Sequence, residues 1–228
     1  AKLRIGYISP DLRSHVAMCF IKGLFQHYDH HRFTVYAYAN CQEDEVSREL
    51  SLMVSQWQNI RGWSPECVAR QIRQDEIDIL VDLAGHTEGS GLPVLAWRPA
   101  PVQVSGIGYM STTGTGFVDY FWGDRYLDSA GEQQNFTEIL LSEAHSHFYY
   151  VPYRAPLFCP AAPCGRNGYV TFGSFNHFAK VTDEVLGWWK EILEQLPTAQ
   201  LFLKTGSFDH AYGRQWARQR LAAQGVPL

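Results

Sequence analysis

The chain has 228 residues, 46% hydrophobic and 18% charged, with a formal net charge of −4 and a pI near 6.1. That balance supplies a sizeable core without metal or disulfide support, and the acidic charge excludes the basic face of a general nucleic-acid binder. No run of about 18 apolar residues is available to span a bilayer, and the five scattered cysteines (Cys19, Cys41, Cys67, Cys159, Cys164) fit reduced thiols in a cytoplasmic protein.

Leu3 to Ser9 is a short apolar run ending at Pro10, which cannot donate to a central ladder, and predicts a first strand without any signal-peptide h-region before it. His15 to Tyr28 carries Val16, Cys19, Phe20, Leu24 and Phe25 at near-helical spacing. Phe33 to Tyr38 alternates as a strand, Val46 to Gln56 reads as a helix, and Ser64 caps another helix running to Gln74. Ile77 to Leu83 is a third aliphatic strand. Strand and helix in this order predict parallel strands with crossover helices, an open α/β sheet.

Beyond Gly85, Leu92 to Trp97 is a short helix stopped by Pro99 and Pro101. Val102 to Ile107 and Val118 to Trp122 are further strands, and Ile139 to Leu141 with His147 to Val151 finish the sheet or its edge. Pro152 to Arg166 holds four prolines and no periodicity, the composition of a linker. The pattern then restarts with strands at Tyr169–Phe172 and Gln200–Lys204 and helices at Asp183–Gln195 and Tyr212–Ala223. The expected organisation is a first α/β domain over 1–151, a linker over 152–166, and the first two βα units of a second α/β domain over 167–228.

The chain lacks G-x-G-x-x-G, the P-loop, G-x-S-x-G and H-E-x-x-H. Its candidate chemistry lies in polar groups directly after predicted strands, where ligands bind in open α/β sheets. His15, after the loop Ser9 to Ser14, is either a proton acceptor near working pH or a helix-start histidine bonded to backbone. His86 follows Gly85, whose freedom to turn would aim it at a crevice; a capping role for His86-Thr87 reads equally well. The Gly106 to Gly114 loop, with Tyr109, Thr112 and Thr113, offers amides and hydroxyls that grip sugars or phosphates, or is simply a loop. Thr171 to Lys180 contains His177 and places Lys180 just before a helix, where it would neutralise a diphosphate or remain a solvated surface lysine.

Several other groups read as structural. His145 and His147 share one face of a predicted strand at the surface, and His27, His30 and His31 follow a helix end. Cys159 and Cys164 have no neighbours to complete a zinc site. Asn135-Phe136-Thr137 fits a glycosylation sequon, which has no weight without a secretory signal.

Taken together, these segments resemble the protein O-GlcNAc transferase family. The resemblance rests on Arg4-Ile5-Gly6-Tyr7-Ile8-Ser9-Pro10-Asp11 with His15, on Asp75 through His86-Thr87, and on Arg98-Pro99-Ala100-Pro101-Val102-Gln103-Val104. It continues through Gly108-Tyr109 with Thr112-Thr113-Gly114, Asp119-Tyr120, and Thr171-Phe172-Gly173-Ser174-Phe175-Asn176. The Gly85-His86-Thr87 and Thr171-to-Asn176 forms are similar to the bacterial members and the related plant protein O-fucosyltransferases.

The resemblance implies a GT-B-like α/β fold, one Rossmann-like domain plus the beginning of a second, with no required metal or cofactor. It implies an inverting glycosyltransferase that moves a sugar from a nucleotide diphosphate, first UDP-GlcNAc, to Ser or Thr hydroxyls of a protein acceptor. His15 matches the proton acceptor, Lys180 the lysine that holds the donor diphosphate, and His177 a nucleotide-contacting position. The resemblance implies that His15 and Lys180 face each other across a cleft. Tyr109, Thr112, Thr113 and His86 match positions lining the sugar site. Tetratricopeptide repeats are expected in the full-length protein, and neither nucleic acid nor membrane is expected as a partner. The alternatives are a GDP-fucose-dependent protein O-fucosyltransferase, a nucleotide-sugar-binding module without catalysis, and an unrelated GT-B enzyme.

Overall fold

The structure, a computed structural model, describes residues 2–128, 131–152 and 161–227. The chain forms two units, Ala1–Pro156 and Leu157–Leu228, each with its own sheet and core.

In the first unit, seven strands make one sheet: β1 (Leu3–Ser9), β2 (Phe33–Ala39), β3 (Gln56–Asn59), β4 (Ile79–Asp82), β5 (Val102–Gly106), β6 (Tyr120–Asp124) and β7 (Ile139–Glu143). Their order is β3-β2-β1-β4-β5-β6-β7, and every neighbouring pair is parallel. The helices are α1 (Met18–Gln26), α2 (Glu45–Ser51), α3 (Pro65–Gln74) and α4 (Leu92–Leu95). Successive strand side chains point to opposite faces, so β1 feeds two cores. Tyr7 packs with Met18, Ile21 and Phe25 of α1 and Val46 and Leu50 of α2. Ile8 packs with Val68 and Ile72 of α3 and Leu92 and Leu95 of α4. Helices therefore cover both faces, as an all-parallel sheet requires.

The helix starts follow capping chemistry. Ser64 Oγ accepts the amide of Cys67 at 3.3 Å, and Pro65 occupies the first helical position. Asp44 and Ser47 form a reciprocal box: the Ser47 amide donates to Asp44 at 2.9 Å, and the Asp44 amide donates to Ser47 Oγ at 2.5 Å.

Three expectations need correction. The helix predicted over 46–56 ends at Ser51, and Gln56–Asn59 forms the edge strand β3. By Ser55 the backbone is already paired with β2, its amide donating to the Val35 carbonyl at 2.9 Å, so the apolar Met53 and Val54 do not extend the helix. His147 to Val151 is not a strand. It crosses α1 instead, with the Val151 amide on the Cys19 carbonyl at 2.7 Å and the Phe148 and Tyr150 rings against Phe20 at 5.1 and 5.6 Å. His147 is buried rather than superficial, its Nδ1 lying 2.8 Å from Asp124 Oδ2.

The second unit contains α5 (Cys164–Asn167), β8 (Thr171–Ser174), α6 (Asp183–Gln195), β9 (Gln200–Leu203) and α7 (Ala211–Ala223), with β8 and β9 parallel. Phe178, Val181, Leu186, Leu193, Ala217 and Leu221 form its core. Of the segment expected as a linker, 153–160, including Cys159, lies outside the described residues, and Cys164 opens α5. No helix among the described residues is long and apolar enough to cross a membrane.

Candidate active site

The strand order reverses between β1 and β4: the chain builds outward to β2 and β3 on one side and to β5, β6 and β7 on the other. The loops leaving the carboxyl ends of β1 and β4 therefore part, which opens a crevice at the topological switch point. A recess of about 610 Å³ lies there. Pro10, Asp11, Arg13, His15, Val16, Ala17 and Phe20 line it from the β1 side, Thr87 and Glu88 from β4, and Ile107 and Gly108 from β5. In a smaller recess of about 290 Å³ at the β3 edge, Tyr38 and Gln71 both donate to Asp75.

The loop carrying His15 is tethered along its length. Ser9 Oγ accepts the Asp11 amide at 3.0 Å, the Ser14 amide donates to Asp44 Oδ2 at 2.7 Å, and the Cys41 thiol meets the Leu12 carbonyl at 3.5 Å. Asp44 thus serves α2 and the loop together. His15 Nδ1 stands 3.3 Å from Asp11 Oδ1 and 3.3 Å from the Ala17 amide nitrogen. The two contacts demand opposite roles of one ring nitrogen. With the proton on Nδ1 the ring donates to Asp11, and Nε2 is a free base; with the proton on Nε2 the ring accepts from Ala17. The Asp11-bonded form has the arrangement of a general base oriented by a carboxylate.

Asp82 organises the loop after β4. Fully buried, it accepts the amides of Gly85 at 2.7 Å and Gly91 at 3.0 Å and the Ser105 hydroxyl at 3.0 Å. Burial pushes its carboxyl above the ordinary range, and those same hydrogen bonds oppose the shift. Gly85 has φ +57°, and a Cβ there would come within 2.5 Å of the Tyr109 Cβ, so the turn needs glycine on both counts. It delivers His86 to the surface, edge-on to the Tyr109 ring at 5.2 Å.

After β5 the backbone makes a tight turn in which the Gly108 amide donates to the Gly106 carbonyl at 3.0 Å, with Ile107 at φ +72°. This is a γ-turn of the strained hand, and strain of this kind in a β-branched residue clusters at functional sites. It seats Gly108 against the Leu83 carbonyl, from which an added Cβ would lie only 2.2 Å.

His15 stands in the wall of the recess. His86 and Tyr109 pair beside it, and the adjoining Thr87, Glu88 and Gly108 are the residues that line it. Thr112 and Thr113 have their hydroxyls taken up by Glu138, so what this loop offers a ligand without breaking those bonds is backbone. In the second unit, His177 and Lys180 flank the single turn Phe178–Lys180. Phe178 is buried against Phe208 and Trp216, and the Arg220 guanidinium lies over the Phe178 and Trp216 rings, donating to the Val181 carbonyl at 2.8 Å and pairing with Asp183. The turn is thus fixed on both sides while both side chains stay exposed, and neither has a hydrogen-bond or ion-pair partner among the described residues.

Asp44, Asp82 and Glu138 carry much of this geometry and were not singled out by sequence reasoning. Asp82 had a usable signal, an aspartate at a strand end with glycines at 85, 89 and 91 to bring amides back to it. Glu138 had none. Among the described residues, no group of three His, Cys, Asp or Glu side chains is placed to hold a metal ion.

The sequence pattern of Glycosyl transferase family 41 matches residues 1–154. A protein of Solanum lycopersicum described as "Probable UDP-N-acetylglucosamine--peptide N-acetylglucosaminyltransferase SPINDLY" is 38% identical over 216 residues, covering 90% of this chain and 23% of the relative. The UDP-N-acetylglucosamine--peptide N-acetylglucosaminyltransferase of Caenorhabditis elegans is 33% identical over 150 residues, covering 64% of this chain and 13% of that protein. Among solved structures, a mutant O-GlcNAc transferase of Thermobaculum terrenum superposes with a TM-score of 0.90 at 32% identity, over 99% of this chain and 43% of its own. The chain thus spans about a quarter of the first of these relatives and under half of the structural one. The expected fold class, α/β of the GT-B-like kind, is the one found.

Proposed function

Because the chain belongs to glycosyl transferase family 41, we propose that the protein containing it is an inverting glycosyltransferase that moves N-acetylglucosamine from UDP-GlcNAc to Ser or Thr hydroxyls of proteins. The observation that carries this reading is the recess at the switch point, with the Asp11–His15 pair in its wall. The activities for which the relatives are named support the choice of donor and acceptor.

In the reaction, His15 Nε2 takes the proton of the acceptor hydroxyl while Asp11 holds the ring through Nδ1–H. The hydroxyl oxygen attacks the anomeric carbon from the face opposite the diphosphate, the bond to the diphosphate oxygen breaks, and UDP leaves. Lys180 offsets the charge that develops on that oxygen. Placed charge of this kind contributes about 3 kcal/mol for one donor, and general-base help roughly 10²–10⁴-fold. The chemistry calls for no metal. The scattered free thiols support a reducing, cytoplasmic setting, and tetratricopeptide repeats belong to the remainder of the protein.

The test is transfer by the full-length protein from a panel of UDP- and GDP-sugars to a Ser/Thr peptide. Transfer from UDP-GlcNAc, lost in His15→Ala with UDP binding retained, is the expected result. Fucose transfer from GDP-fucose would move the protein to the O-fucosyltransferase branch. Donor binding without any transfer would make it a binding module.

A further inference from the structure

Glu138, 1% exposed and just ahead of β7, begins a chain of hydrogen bonds that ends on the imidazole of His86. Its carboxylate accepts the Thr113 amide at 2.8 Å, the Thr113 hydroxyl, and the Thr112 hydroxyl at 2.7 Å. Burial pushes this carboxyl up, but the Thr113 and Thr112 hydroxyls and the Thr113 amide outweigh burial and hold it below its ordinary value. It is therefore ionised at neutral pH and can only accept. The Thr113 hydroxyl, having given its hydrogen to Glu138, accepts from Thr115 at 2.9 Å. Thr112 Oγ1 likewise accepts the amides of Gly114 at 3.0 Å and Thr137 at 3.1 Å.

Thr113 is thus held at its amide and its hydroxyl. Its one remaining polar atom, the carbonyl oxygen, lies 2.9 Å from His86 Nε2. A carbonyl oxygen has no hydrogen to give, so Nε2 carries it. In the neutral ring the lone pair then sits on Nδ1, and no described residue bonds that atom. The Tyr109 ring, edge-on at 5.2 Å, limits rotation of the imidazole out of this arrangement.

We propose that Glu138 is a positioning residue that, through Thr113, holds His86 as the Nε2–H tautomer, leaving Nδ1 to accept a hydrogen bond from a hydroxyl of the bound sugar or of the acceptor. The substrate half of this statement rests on the transferase reading; the tautomer half does not. It predicts a tautomer for His86 that neither its exposure nor its place after β4 would determine. It also gives the buried carboxylate of Glu138 a role beyond pinning a loop.

The experiment is ring-nitrogen NMR on the full-length protein labelled with ¹⁵N-histidine, the His86 signals being assigned by their loss in His86→Phe. The wild type is expected to show the Nε2–H pattern. Glu138→Gln, which places an NH₂ donor where only acceptors stood, is expected to give a mixture of tautomers. Thr113→Val, which removes the hydroxyl and keeps the amide bond to Glu138, is expected to move the ring in the same direction by less, and it carries the comparison if Glu138→Gln does not fold. A dominant Nδ1–H tautomer in the wild type overturns the proposal without any variant, and so does an unchanged ring pattern in both variants. For the substrate half, His86→Phe is expected to raise one KM about fivefold to tenfold, the scale of one lost hydrogen bond. The KM for UDP-GlcNAc identifies a sugar hydroxyl and that for the peptide an acceptor hydroxyl; neither moving overturns that half. A protein that transfers no sugar would overturn the functional reading, while the ring pattern would still decide the role of Glu138.

Discussion

Nδ1 of His147 lies 2.8 Å from Oδ2 of Asp124, and the two side chains are 2% and 1% exposed. Asp124 ends β6 and also accepts the amides of Tyr126 at 2.8 Å, Leu127 at 3.0 Å and His147 at 3.1 Å. One carboxylate therefore closes the turn after β6 and anchors the segment that crosses α1 onto Phe20, a residue of the recess wall.

That pair sets a pH dependence. Burial pushes the Asp124 carboxyl up, but the His147 ring and the surrounding amides outweigh burial and hold it well below the usual carboxylate range. With the folded value depressed, its contribution to stability is present above the unfolded value, about 3.9, and is lost as pH falls through the folded one. Urea midpoints of wild type and Asp124→Asn are expected to differ most near neutrality and to converge below about pH 4. A gap of the same size at pH 7 and pH 3 would contradict the assignment.

Gly108 and Gly114 separate two reasons for glycine within one loop. A Cβ at Gly108 would lie 2.2 Å from the Leu83 carbonyl oxygen, an atom of the β4 exit that cannot move cheaply. Gly114 has φ +65° but open space around it. Gly114→Ala should cost about 1–2 kcal/mol, the price of a left-handed backbone. Gly108→Ala should cost more, on the order of 3 kcal/mol, the scale of severe core overpacking. Equal midpoints for the two variants in chemical denaturation would show that close approach to Leu83 does not constrain the turn.

The course of the chain was largely legible because its signals are local. Six of the seven strands in the first sheet were expected; the exception is β3, whose Gln-Trp-Gln-Asn sequence has one apolar residue and lies at an edge, where pairing with β2 alone defines it. His15 and Lys180 were legible as polar groups directly after strands. The supports of the site were not, because each is a partnership across long stretches of chain. Thr113 gives no sign of a carboxylate 25 residues later, and His147 looked superficial because Asp124, 23 residues earlier, carried no mark of being its partner. Periodicity reports which face of an element is buried. It does not report which polar groups meet once the faces are packed.

Asp82 is expected to hold the loop from Gly85 to Gly91 at both ends. Asp82→Ala leaves two amides and the Ser105 hydroxyl without their acceptor in a buried position, at a cost of about 2–4 kcal/mol. Hydrogen exchange tests the locality of the effect. Protection should fall at Gly85 and Gly91 while the central pairs of β1 with β2 keep theirs. Unchanged exchange at both glycines would mean that the loop is held by other contacts.

In the second unit, Phe178 and Lys180 belong to one turn and should fail in different ways. Phe178 is 2% exposed beneath Phe208, Trp216 and Arg220, so Phe178→Ala opens a cavity in a small core and should cost about 3–5 kcal/mol. Lys180 is exposed with no partner among the described residues, so Lys180→Met should leave stability within about 0.5 kcal/mol. If Lys180 serves the diphosphate, transfer by the full-length Lys180→Met protein falls at least a hundredfold, on the scale of one placed charge donor, while its melting temperature stays that of the wild type. Phe178→Ala should lower both together, because the turn that carries Lys180 is fixed only while Phe178 is packed. A Lys180→Met protein with near-normal transfer would remove the diphosphate role from this residue, and the fixed turn would then be a feature of the core alone.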